Sequence, residues 1–108
     1  MTIRLRFLPE VEEDVMAGYF WYEEKAAGLG EEFMRVFYTA VGEIHTLPHR
    51  FTPVNREMRR CLLRRFPYAI YFKCEVEEIT VVGLFHCARD PIVIRDSLVE
   101  RTRLDKDS

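Results

Sequence analysis

Three consecutive runs between Arg59 and Pro91 restrict the chain more than any other stretch: RRCLLRRF, PYAIYFKCE and EITVVGLFHCARDP. Each is rich in β-branched and aromatic residues and is bounded by turn signals, the pattern of a three-stranded antiparallel meander. Phe66-Pro67 marks the first bend and Glu75-Val76-Glu77-Glu78 the second. Pro67 cannot donate a ladder hydrogen bond and belongs at a bend. Tight two-residue hairpins would pair Arg65 with Tyr68, Leu63 with Ile70 and Cys61 with Phe72. The second hairpin would pair Phe72 with Val81, Ile70 with Gly83 and Tyr68 with Phe85. Side chains alternate with period two, so these positions share one apolar face. The opposite face then carries Leu62, Tyr71, Val82 and Leu84 as an apolar strip, with Thr80, edged by Arg60, Arg64, Lys73 and His86. A one-residue slip would mix the two sets, which supports the register.

Upstream, Thr2 to Leu8 reads as a strand, with Ile3, Leu5 and Phe7 alternating with Thr2, Arg4 and Arg6. Pro9 ends it and suits the first turn of a helix, whose N-terminal dipole favours the acids at 10–14. The spacing predicts one helix from about Glu10 to Ala27, with the stripe Val11, Val15, Tyr19, Tyr22 and Ala26, widened by Phe20 and Trp21. Gly28-Leu29-Gly30 breaks it. A second helix is expected from about Gly30 to Leu47, with the stripe Phe33, Val36, Phe37, Ala40, Val41, Ile44 and Leu47, stopped by Pro48. The short connection makes these an antiparallel hairpin. His45 falls on its polar side and receives no role. His49 to Met58 reads as a polar loop, Ile92 to Leu98 as a short strand or helical turn, and the tail RTRLDKDS as frayed.

The expected architecture is therefore α+β, in the order β-α-α-β-β-β, within one domain spanning 1–108. Residues 1–8 supply a strand, 10–47 the helical hairpin, 59–91 the meander and 92–108 the C-terminal segment. The hairpin should cover the apolar face of a small, mainly antiparallel four-stranded sheet. The mixed face is left uncovered, covered by another chain, or covered by the C-terminal segment.

Charge is unevenly spread. Residues 1–48 carry four bases against nine acids, a net of −5, and residues 49–108 twelve bases against nine acids, a net of +3. Six arginines and only Glu57 lie between Arg50 and Arg65. Such a basic half meets either solvent, nucleic acid or an acidic protein. No apolar run approaches the roughly 18–20 residues a membrane helix needs. MTIRLRF is too short and too alternating for a signal peptide, so a cytoplasmic location is expected. Cys61, Cys74 and Cys87 form no paired motif, and neither metal nor cofactor is expected.

Three stretches resemble the RelE/ParE toxins of bacterial type II toxin–antitoxin systems, most closely the ParE-like branch often called plasmid stabilisation proteins. WYEEKAAGLGEEF (Trp21–Phe33) is similar to that branch's helix–turn–helix passage. RRCLLRRFPYAIYF (Arg59–Phe72) is similar to its central hairpin, and VVGLFHCARDP (Val81–Pro91) to its final strand and exit. The resemblance implies a small toxin masked by a cognate antitoxin. It also implies one of two modes of action: ParE-like poisoning of DNA gyrase without catalysis, or RelE-like cleavage of mRNA in the ribosome. A degenerate, non-toxic binding module is a third reading. Many relatives carry Trp where Ile94 stands, a departure that bears on the C-terminal segment.

A nuclease would need proton-transfer groups and cations for the phosphorane charge. Arg60, Arg64, Lys73, His86 and Arg89 are the residues available, with Tyr71 for base stacking. Yet the chain has only three lysines, no Tyr follows Tyr71, and the net charge is −2. A partner-binding face needs nothing added. Arg60, Leu62, Arg64, Tyr71, Lys73, Val82, Leu84, Arg89 and Arg95 are its expected contacts, since Arg and Tyr are favoured interface anchors. His86 is expected to fix the exit of the chain near Asp90 rather than to act as an acid or base.

Overall fold

The computed structural model describes residues 3–107. The elements run β1 (Arg4–Phe7), α1 (Pro9–Lys25), α2 (Leu29–Thr46), a 3-10 turn (Pro48–Arg50), β2 (Thr52–Pro53), β3 (Met58–Leu62), β4 (Tyr68–Cys74), β5 (Glu78–His86) and α3 (Pro91–Asp107). The strands form one five-stranded sheet in the order β1-β5-β4-β3-β2. β1 runs parallel to β5 and every other pairing is antiparallel. The α+β class and the helical hairpin agree with the expectation. The fifth strand, β2, is new: Thr52 and Pro53 add a two-residue edge to β3 within the expected polar loop. Of the expected first strand, Thr2 lies outside the described residues.

Pro9 occupies the first turn of α1, with Glu10 and Glu12 beside the positive end of its dipole. Gly28, at φ 87°, makes the left-handed turn between the helices. The Glu23 carboxylate then accepts the N–H groups of Gly28 and Gly30, both at 2.9 Å, and so caps the start of α2 from the preceding helix. A Cβ at Gly30 would lie 2.7 Å from the Tyr19 carbonyl oxygen, so this position lets the helices approach closely. Val11, Val15, Phe33, Phe37, Ala40, Val41 and Ile44 face the sheet as expected. Phe20 and Trp21 do not widen the buried stripe; both stand in solvent, as does Leu47. His45 does have a partner: its Nε2 lies 2.6 Å from the Ile3 carbonyl and ties α2 to the start of β1.

The β3–β4 register differs from two tight hairpins. Cys61 faces Ile70, Arg60 faces Tyr71 and Leu62 faces Ala69. This is a shift of two residues, because Leu63 to Pro67 form a wide bend closed by Leu63 N–H donating to the Tyr68 carbonyl at 2.9 Å. Arg65 sits there at φ 69°, in the left-handed region. A shift of two preserves which face each side chain takes. The β4–β5 pairing keeps Phe72 opposite Val81, then breaks: Tyr71 faces Gly83 and Ile70 faces Leu84. Val82 is thus the extra residue of a β-bulge, and beyond it the faces exchange. Leu84 and His86 turn to the hairpin side with Ile70 and Tyr68, while Gly83 and Phe85 join Tyr71 on the other side. The expected placement of Leu84 and His86 on the second face is corrected accordingly.

The largest departure is α3. The segment expected to be a short strand or turn with a frayed tail is a 17-residue helix over the second sheet face. The Asp90 carboxylate accepts the Ile92 N–H at 2.9 Å and Pro91 takes the first helical position, a strong start signal. Only Ile94 and Leu98 are buried from this helix. Polar anchors complete its seating: Arg6 donates to Asp105 through both terminal guanidinium nitrogens, at 2.9 and 2.8 Å, and Arg101 donates to Asp14 of α1 at 2.6 and 3.0 Å. Among the described residues no helix is long and apolar enough to cross a membrane.

Candidate functional site: a basic groove beside α3

Because α3 covers β5 but stops short of the β3 edge, a groove of about 540 Å³ opens between them. Its floor is Met58 and Tyr71 from the sheet; Ile94, Leu98 and Val99 form the helix wall, and Val54 stands on the opposite lip. The lip is shaped locally. The Asn55 side-chain oxygen accepts the N–H groups of Glu57 and Met58, both at 2.9 Å, which holds the short loop entering β3. The rim is basic: Arg60, Arg89, Arg95, Arg103 and Lys106 stand against Glu57. Arg95 is engaged by Asp96, and Arg103 by Glu100 and Asp107. Arg60, Arg89 and Lys106 have no ion-pair partner among the described residues, so the rim keeps an excess of positive charge.

The exit from β5 positions Arg89. His86 Nδ1 accepts the Ala88 N–H at 3.0 Å and the His86 carbonyl accepts the Arg89 N–H at 3.0 Å. Cys87 N–H donates to the Pro67 carbonyl at 2.7 Å. The turn carries the Arg89 guanidinium over the Phe85 ring, 5.5 Å from its centroid. His86 therefore fixes the turn, as its place in the sequence suggested, and its ring lies 5.1 Å from that of Tyr68 on the hairpin side.

The expected contact residues separate into groups. Arg60, Tyr71, Arg89 and Arg95 come together in the groove. Lys73 shares their sheet face near Asp105, whose carboxyl is held below its usual range by the Arg6 hydrogen bonds and, to a smaller degree, by Lys73. Val82 is fully buried at the bulge and Leu84 lies in the core. Leu62 and Arg64 border a different cleft, beside Glu43 of α2, where Arg64 lies 3.9 Å from the Glu43 carboxylate and Arg50 3.1 Å from it. The five residues that a nuclease would require are therefore dispersed over four places: Arg60 and Arg89 in the groove, Lys73 farther along the sheet, Arg64 in the cleft beside Glu43, and His86 against Tyr68 at the exit from β5. The Cys61 thiol, pushed up to about 11 by burial, is no nucleophile there.

Sequence reasoning missed Val54, Met58, Leu98, Val99, Arg103 and Lys106. The Asp90-Pro91 start signal, with Ile94 and Leu98 one turn apart, was the mark by which α3 and its wall could have been found.

Comparisons with known proteins agree with this architecture. No protein-family model matches the chain. It is 27% identical over 103 residues to Toxin ParE2 of Mycobacterium tuberculosis, in both strain CDC 1551 / Oshkosh and strain ATCC 25618 / H37Rv, across 94% of this chain and 98% of that one. The chromosomal ParDE TA system from P. aeruginosa contains a chain of the same fold, with a TM-score of 0.65 and 15% identity over 79% of this chain and 96% of that chain. The chain is similar to a ParE toxin in sequence. The expected resemblance thus holds both in sequence, over nearly the whole length, and in fold. Ile94, where many relatives were expected to carry Trp, is buried on the sheet-facing side of α3 and fills a core position.

Proposed function

We propose that this chain is the toxin of a bacterial type II toxin–antitoxin module, held inactive by a cognate antitoxin and acting inside the cell in the ParE manner, by binding DNA gyrase. The observation that carries the reading is the groove beside α3: an apolar floor with a basic rim, on a chain similar to Toxin ParE2 throughout its length. Such a groove suits an amphipathic acidic segment. Apolar side chains would lie against Ile94, Leu98 and Tyr71, and carboxylates would meet Arg60, Arg89 and Lys106. This is inhibition by occupancy and requires no bond to be made or broken. The dispersal of Arg60, Arg64, Lys73, His86 and Arg89 supports binding over RNA cleavage.

The test is tightly controlled induction in a bacterium, counting viable cells while following chromosomal breaks and mRNA integrity. Loss of viability with double-strand breaks and intact mRNA is expected, together with rescue by the product of an adjacent small open reading frame. Arg60→Glu with Arg89→Glu should abolish the rescue. Rapid mRNA cleavage would overturn the gyrase reading, and unaltered growth would overturn the toxin reading.

A further inference from the structure

Along its margin nearest β3, α2 carries a row of arginines contributed by three parts of the chain. Glu32 and Glu43 stand three helical turns apart on one side of α2, about 16 Å along its axis. Each is shared by two arginines. Glu32 holds Arg35 of its own helix and, at 2.7 Å, Arg65 from the β3–β4 bend. Glu43 holds Arg50 from the 3-10 turn at 3.1 Å and Arg64 from the bend at 3.9 Å. The acids are recessed and the bases stand out: the four arginine side chains are 55–84% exposed, against 29% for Glu32 and 34% for Glu43. Four guanidinium groups over two carboxylates leave an outward surplus of positive charge. Arg35, Arg50 and Arg64 also rim the cleft of about 370 Å³ between α2 and β3, where Glu43 is the only acid among the described lining residues. A concave site lined by one sign of charge focuses its field on an approaching polyanion.

The row's geometry decides which polyanion fits. One strand of a DNA duplex advances 3.4 Å per nucleotide, so about five nucleotides match the length of the row. Each guanidinium carries five N–H donors, more than its shared carboxylate can take, and its planar fork suits phosphate oxygens. A single strand would need open aromatic faces on which bases stack. Phe51, the aromatic residue of the cleft, is half-buried, edge-on to Phe72 and covered by Arg50. An acidic protein would anchor through an apolar centre. Between the two arginine pairs on α2 stands Thr39, exposed and polar.

We propose that this arginine row seats the phosphate backbone of duplex DNA, with Glu32 and Glu43 holding the guanidinium groups in place and lowering their affinity. The cleft shares no lining residue with the groove beside α3, so a protein there and DNA here can be bound at the same time. The choice of DNA over duplex RNA rests on the gyrase reading above, because that partner works on DNA; the phosphate contact itself does not.

The test is fluorescence anisotropy of the full chain with a labelled DNA duplex of about 20 base pairs, two helical turns, across a series of salt concentrations. A dissociation constant of about 1–100 µM is expected, with log K falling against log salt at a slope of about −3 to −4 for four phosphate contacts. Arg50→Gln with Arg64→Gln should weaken binding by about tenfold or more and make the slope shallower by about 2. Glu43→Gln should tighten binding by about threefold or more, a gain that misfolding does not produce. Arg60→Gln with Arg89→Gln, in the other groove, should cost less than about threefold. No gyrase is present, so the outcome is separate from that of the induction assay. Absence of saturable binding, an unchanged slope in the Arg50/Arg64 variant, or weaker binding by Glu43→Gln would refute the proposal. A larger loss in the Arg60/Arg89 variant would move the DNA to the groove beside α3. Tighter binding of the single strand or of an RNA duplex would overturn the assignment to duplex DNA. Tighter binding of an acidic Leu/Glu peptide, lost in the Arg50/Arg64 variant, would give the cleft to a protein instead.

Discussion

Replacing Asp14 by Ala should be among the most damaging single changes in this protein, although Asp14 sits on a helix rather than in the apolar core. Beyond Val81, β5 has lost its neighbour: Leu8 N–H donates to the Val81 carbonyl and the chain then leaves for α1. The next groups on that edge are satisfied by side chains. Asp14 accepts the Leu84 N–H at 3.0 Å, and Arg101 donates to the Val82 carbonyl at 3.1 Å. The two side chains also bond each other, with only 16% of Arg101 and 12% of Asp14 exposed. Together they take the place of the missing strand. Asp14→Ala strands a largely buried guanidinium, a loss of about 3–5 kcal/mol. An orphaned Leu84 N–H would by itself account for about 1–3 kcal/mol. Total stability for a domain of this size is about 5–15 kcal/mol.

The assay is equilibrium urea unfolding of the wild type, Asp14→Ala, Arg101→Met and the double variant. With an m-value of about 1.5 kcal/mol/M, a loss of 3 kcal/mol lowers the midpoint by about 2 M. The double variant should be less destabilised than the two singles summed, by about 1–3 kcal/mol, because neither charge is then left behind. A loss below about 1 kcal/mol for Asp14→Ala, or single effects that add within about 0.5 kcal/mol, would refute the edge-replacement argument.

Two further outcomes follow from the same region and from the core. Gly83→Ala would place a Cβ 2.8 Å from Arg101 Nη1 and 2.6 Å from the Phe85 ring. Overpacking of about 1–3 kcal/mol is expected, read as a lowered urea midpoint; an unchanged midpoint would show that Arg101 yields freely. Cys61, buried and with its thiol raised to about 11, should resist alkylation by iodoacetamide at pH 8 in the native protein while exposed Cys87 is modified. Mass spectrometry of tryptic peptides checks this, and equal modification of both would count against the burial.

The parts of the fold legible in the sequence are those governed by local periodicity. The α2 stripe from Phe33 to Ile44 and the alternation through Cys61, Ile70 and Phe72 place these residues correctly, because a shift of two in the β3–β4 register leaves every face unchanged. The bulge was not legible. Val82 is an ordinary β-branched residue in an apolar run, and what breaks the ladder beside it involves Asp14 and Arg101, 87 residues apart in the chain. One inserted residue then moved Leu84 and His86 to the opposite face. α3 was hidden for a different reason. It is held by two apolar residues and two distant ion pairs, so its apolar pattern is too sparse to register as a stripe. Phe20 and Trp21 erred in the other direction, because aromatic residues in a helix read as core when they stand in solvent. Four of the nine expected contact residues still meet in one groove: Arg60 and Tyr71 precede the bulge, and Arg89 and Arg95 flank the turn at Asp90.

The parallel pairing of β1 with β5 sets a timetable for assembly. Arg4 lies opposite Glu78, and Arg6 bonds Asp105, 99 residues away. During synthesis the helical hairpin can form from neighbouring residues, but its first strand must wait for the last one. At about 5–20 residues per second, the stretch from Glu78 to Asp107 occupies roughly 2–6 s of translation. Until β5 is complete, α1 lacks the strand it packs against. Non-local closure of this kind also slows folding after release. The groove beside α3 and its basic rim can therefore exist only once Arg103 and Lys106 have been made.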